Sequence, residues 1–91
     1  MVEREPLRLV YIVWHDAHSN TETWTALSDL DDEPCVVHTV GFLLAAQKTD
    51  HIVVAQSYYN DDLGREVDAV LCIPVGMVKA MVVLTPMPEN T

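Results

Sequence analysis

The chain predicts an all-β fold: a strongly bent, five-stranded small barrel with a short helical insertion between its first two strands. Three observations carry this expectation. Five short runs rich in β-branched, leucine and aromatic residues are separated by turn chemistry. The block 36–57, VVHTVGFLLAAQKTDHIVVAQS, sets two apolar segments around the polar tetrad Gln47-Lys48-Thr49-Asp50, with Gly41 inside the first. Finally, Pro74-Val75-Gly76 joins two apolar runs through a connection short enough for a single 3₁₀ turn.

Residues 7–14, LRLVYIVW, form the first predicted strand, because Val10 to Trp14 all favour a pleated backbone. Residues 15–34 are rich in capping and turn residues. A short helix is expected there, starting near Thr21 or Thr23 and ending near Leu30, with Trp24 and Leu27 on one face. Asp31, Asp32 and Pro34 break it. The second strand spans 36–46 and the third 51–59. Gly41 marks a bend in the second, since glycine relieves the crowding of a coiled strand. Asn60-Asp61-Asp62-Leu63-Gly64 is a turn. Strands four and five span 66–73 and 78–84. Pro6, Pro86 and Pro88 cannot donate to a ladder, so 1–6 and 86–91 read as frayed ends of a single domain covering 1–91.

The chain has 91 residues, of which 49% are hydrophobic. A domain of this size buries only about 60–65% of its unfolded surface, so so much apolar surface predicts a homo-oligomer. Fourteen acidic residues against five basic ones give a net charge of −9, which opposes long-range attraction to a phosphate backbone. The acidic runs Asp29–Glu33 and Asp61–Asp68 read as solvated loops. Cys35 and Cys72 form no CxxC motif and read as small buried residues. The charged start Met-Val-Glu-Arg-Glu-Pro is not a signal peptide, and no apolar run reaches the ~20 residues that span a bilayer. A cytoplasmic protein without membrane contact is the expectation.

No GxSxG, P-loop, HExxH or dinucleotide fingerprint occurs, so no enzyme and no cofactor are expected. His15-Asp16-Ala17-His18 is the densest group of metal-ligand types, but its spacing favours a polar loop over a metal site. His38 reads as a packing or interface residue. For Asp50 and His51 two readings stand. Asp50 satisfies its own turn while His51 faces solvent, or the pair recognises a ligand. Tyr58 and Tyr59 offer rings for base stacking or for an interface. Trp14 and Trp24 read as packing residues, and Met77, Met81 and Met87 as core filling.

Val40-Gly41-Phe42-Leu43 followed by Thr49-Asp50-His51-Ile52-Val53-Val54 resembles the first motif of the Sm-like family, the barrels of Sm, Lsm and Hfq proteins. Cys72 to Val78 sits where the second motif falls, and the likeness covers roughly 36–84. Trp14-His15-Asp16, Trp24-Thr25-Ala26-Leu27, residues 39–43 and Ile73-Pro74 are similar to small Sm-like proteins of phages and prophages over nearly the whole chain. This resemblance implies a ring of about five to seven subunits, closed by strand four of one copy on strand five of the next. It also implies a non-catalytic binding role for a nucleotide-like ligand, with counter-defence as a context. Asp50, His51, Tyr58, Tyr59, Pro74 and Gly76 are the candidate ligand-binding residues. The turn Pro74-Val75-Gly76 lacks the family's Arg-Gly or Lys-His pair, and Val53 stands where Sm proteins carry asparagine. These departures weigh against uridine recognition. An RNA-binding protein and a structural or protein-interaction ring are the alternatives.

Overall fold

The computed structural model of the chain describes residues 5–17, 24–29, 33–44 and 48–85. Five strands form one antiparallel sheet: β1 (Leu9–Asp16), β2 (Cys35–Leu44), β3 (His51–Asn60), β4 (Arg65–Pro74) and β5 (Val78–Leu84). Their spatial order is β4-β3-β2-β1-β5. The all-β expectation therefore holds, with five antiparallel strands close to the predicted bounds.

The sheet changes partners at its bend. β2 pairs with β1 from Asp16↔Cys35 to Leu9↔Phe42, and with β3 from Phe42↔Ala55 to Leu44↔Val53. The handover falls one residue after Gly41. An alanine methyl there would lie 3.1 Å from the Ala55 carbonyl oxygen and 3.1 Å from Val54 Cβ, so glycine admits the close approach of β3. β3 and β4 stay paired from His51↔Pro74 to Asn60↔Arg65, well beyond Ala55, where β2 parts from β3. The outer part of that hairpin, Ser57–Asn60 with Arg65–Asp68, is a two-stranded ribbon among the described residues.

Turn chemistry explains the hairpin ends. Asp61 Oδ1 accepts the backbone N–H groups of Leu63 and Gly64 at 2.8 and 2.9 Å, while Asp61 N–H donates to the Gly64 carbonyl. Arg65 Nε donates to Asn60 Oδ1 at 2.8 Å across the base of the turn. Pro74 leads into a 3₁₀ turn at Val75–Met77, closed by the Val78 N–H on the Val75 carbonyl.

One face of the sheet builds the core. Val10, Ile12 and Trp14 alternate inward along β1 and pack with Val54 and Ile73. Val37, Leu43, Ile52, Met77 and Val78 surround that cluster. The indole Nε1–H of Trp14 donates to Thr39 Oγ1 at 3.0 Å, which satisfies its one polar atom. Outside this cluster much apolar surface stays open, notably Val67, Val70 and Leu71 on β4 and Met81, Val82 and Val83 on β5. The radius of gyration is 17.8 Å, against about 12 Å for a compact domain of this length.

Three expectations are corrected. In place of the helical insertion, the described part of 15–34 holds a single 3₁₀ turn, Leu27–Asp29, with Asp29 N–H donating to the Ala26 carbonyl. Thr, Ser and Asp hydrogen-bond their own backbone and compete with helix nucleation, which explains the short turn. Residues 18–23 and 30–32 lie outside the described residues. Trp24 and Leu27 are 100% and 84% exposed, so they do not pack on the sheet of their own chain. Cys72 is exposed, because β4 lies at the sheet edge with little cover, and Cys35, the first residue of β2, is half-buried.

Candidate functional site

The turn between β2 and β3 is built by its own sequence. His51 N–H donates to the Lys48 carbonyl at 3.4 Å, closing a four-residue turn. Asp50 takes φ 59°, the left-handed conformation that the third position of a type II turn requires. Aspartate tolerates that region better than most L-residues, which accounts for its presence. His51 Nδ1 lies 2.8 Å from the Thr49 carbonyl oxygen. A carbonyl only accepts, so Nδ1 carries the proton and Nε2 is left as the ring's open polar atom. The imidazole is thus oriented by its own backbone.

This turn is tied to the connection between β4 and β5. The Val75 N–H donates to the Asp50 carbonyl at 2.9 Å, and His51 pairs with Pro74 in the ladder. Asp50, His51, Pro74 and the Val75-Gly76 turn therefore meet at one pole of the sheet. Val75 was not among the sequence candidates, because a backbone donor leaves no trace in side-chain type.

Two lysines sit at the same pole, and they are the only lysines of the chain. Lys48 opens the β2–β3 turn. Lys79 lies two residues beyond the 3₁₀ turn, where Val13 pairs with Ala80 but Trp14 with Val78. Lys79 is thus the extra residue of a β-bulge, the kind of irregularity that re-aims a side chain. Both lysines are exposed. Their positions beside the two turns were legible in the sequence; that the turns meet was not.

Tyr58 and Tyr59 lie elsewhere. Tyr58 lies seven positions along β3 from His51, about 23 Å of strand. Tyr58 stacks edge-on against Phe42 at 4.9 Å between centroids, carries the Arg65 guanidinium 5.1 Å from its ring centre, and accepts the Leu7 N–H on its hydroxyl at 3.3 Å. Its ring is occupied in fastening the N-terminal segment to the hairpin. Tyr59 is exposed and faces Glu66 across the ladder. The six candidates thus divide between two ends of the β3–β4 hairpin within one chain.

The remaining candidates separate as well. His15 and Asp16 are consecutive strand residues and so point to opposite faces. His18 lies outside the described residues, and among the described residues no group of three or more metal-ligand side chains converges. His38 is exposed and its Nδ1 lies 2.6 Å from the Tyr11 hydroxyl. Among the described residues no helix is long and apolar enough to cross a membrane.

No protein-family model, curated protein or solved structure matches the chain.

Proposed function

We propose that this chain is a non-catalytic, self-assembling binding protein of the Sm-like kind, which closes into a homo-oligomeric ring of about five to seven copies and holds a nucleotide-like ligand at the pole formed by Thr49–His51 and Pro74–Gly76. The observation that carries the reading is the hydrogen bond from Val75 N–H to the Asp50 carbonyl, which unites the two turns that the Sm-like resemblance makes the recognition turns. In a ring that pole repeats once per subunit, so weak contacts act together. His51 Nε2, the Asp50 carboxylate and the two lysines supply hydrogen-bonding groups and positive charge for a base and a phosphate on an otherwise acidic protein.

Assembly is supported by the open sheet edges. Among the described residues β4 and β5 each pair on one side only. Both edges carry apolar side chains, and long apolar edges template pairing with another chain. Pairing β4 of one copy with β5 of the next is a head-to-tail contact, which closes as a ring when the rotation permits and completes a small barrel in each copy. The phage-like pattern of the sequence makes sequestration of a host nucleotide signal, as counter-defence in the host cytoplasm, the context we favour.

Native mass spectrometry of the purified chain tests subunit number and retained ligand together. Thermal-shift screening of cyclic and linear nucleotides then supplies a ligand, and Asp50→Ala with His51→Ala abolishes its binding while the ring persists. A ligand held equally well by the double variant removes the site from this pole. Nanomolar binding of a uridine-rich oligonucleotide at physiological salt would replace the reading with the RNA-binding one.

A further inference from the structure

β1 carries apolar side chains on both of its faces. Val10, Ile12 and Trp14 build the core. The ladder sets what stands on the other face, because cross-strand partners share a face. Tyr11 lies between Val40 of β2 and Val82 of β5, and Val13 between His38 and Ala80. His15 opposes Val36 in the row beyond. No Asp, Glu, Lys or Arg stands in these three rows, although such residues make up 21% of the chain. An antiparallel sheet that keeps one face in water carries polar side chains there. This face instead leaves Val36, Val40 and Val82 47%, 47% and 57% exposed. Its one hydroxyl is already paired, since the Tyr11 oxygen lies 2.6 Å from His38 Nδ1. Composition and pairing are those of a covered face.

We infer that a second copy of the chain covers this face, seating its Trp24 and Leu27 there and receiving the same two residues in exchange. Trp24 and Leu27 are 100% and 84% exposed, so their own sheet does not hold them. Trp24 stands eight positions after Asp16 and Leu27 eight before Cys35, at the middle of the connection between two paired residues. Area decides the kind of partner. Three strands about 4.8 Å apart and three rows about 7 Å apart make a face of about 300 Å². Trp24 and Leu27 offer about as much again. A one-way contact therefore buries about 600 Å² in total, half of the roughly 1,200 Å² at which specific interfaces begin. Reciprocal exchange across a two-fold axis doubles it to that bound. Interfaces of that size hold weakly, so a dissociation constant of about 10–100 µM is expected. The contact uses side chains of the face, whereas ring closure uses the backbone edges of β4 and β5, so the two are compatible.

The test is photocross-linking of the full-length chain carrying Trp24→p-benzoylphenylalanine, an aromatic for an aromatic. Isotope-labelled and unlabelled chains are mixed in equal parts at about 200 µM, above the expected dissociation constant. Irradiation should give a covalent dimer on a denaturing gel. Its cross-linked peptides should join position 24 of one copy to segment 36–40 or 80–82 of another, in labelled–unlabelled pairs. Adding Val40→Asp, at an exposed position on the face, should cut the yield about tenfold or more, because the contact would then bury a carboxylate. The peptide map obtained without that change decides the inference on its own. Position 24 joined only within its own chain, joined to β4, or not joined at all would overturn it, as would an undiminished yield with Val40→Asp. A native ring that gives no such cross-link keeps the assembly and loses this contact, so the two are read separately.

Discussion

Replacing Gly41 with alanine tests the bend that lets β2 change partners. The added methyl would sit 3.1 Å from both Val54 Cβ and the Ala55 carbonyl oxygen, and 3.4 Å from Val54 Cγ2. Comfortable carbon contacts are about 3.5–4.0 Å, so β3 must retreat by several tenths of an ångström. It cannot retreat freely, because Val54 and Ala55 are 3% and 0% exposed and β3 is held by β4 on its other side. Overpacking of this kind costs about 1–3 kcal/mol. The stiffer unfolded chain returns about 0.4–1 kcal/mol. A net loss of about 1–2 kcal/mol follows, equivalent to about 5–15 °C in Tm for a domain of this size. Urea unfolding followed by circular dichroism at one fixed subunit concentration measures it. Gly76→Ala is the control, since nothing lies within 4 Å of its would-be methyl. It should stay within about 0.5 kcal/mol of the parent. A Gly41→Ala protein as stable as the parent would refute the close-approach argument.

Ala69 takes φ 52° inside β4, a conformation that costs an L-residue about 1–2 kcal/mol. Ala69→Gly should therefore stabilise the fold by up to about 1 kcal/mol in the same urea assay, where a typical strand alanine would lose stability. Thr39→Val removes the acceptor of the Trp14 indole and should cost about 1–3 kcal/mol, read as a shift in denaturant midpoint with unchanged slope. Val70→Asp or Val82→Asp places a charge on an exposed apolar strand at a sheet edge. Light scattering should then report monomer or aggregate where the parent forms a closed oligomer, and a monodisperse parent monomer would remove the assembly proposal.

Much of the fold was legible from local chemistry. β-Branched runs set the strands, and Asp61 and Gly64 announced the hairpin turn, because these signals act within a few residues. Gly41 was readable as a bend, though not its reason, which is the approach of Val54 from another strand. The insertion was misread because Trp24 and Leu27 at helical spacing describe a face without saying whether anything covers it. Cys72 failed as a buried residue for the same cause: burial depends on which strand ends at the sheet edge.

The candidate site shows the same division. The Sm-like resemblance singled out Asp50 and His51, and residue type left open whether they serve their own turn or a ligand. Only the tertiary structure decided that this turn meets Val75, that Lys79 lies on a bulge beside it, and that Tyr58 is fastened to Phe42 and Arg65. Sequence determined the strands, the turns and the acidic charge, because periodicity, φ preference and ionisation are properties of a residue and its neighbours. The register between strands decided which of those residues share a face and a pole, and register arises from burying Val10, Ile12, Trp14, Val54 and Ile73 together, a constraint that no segment carries alone.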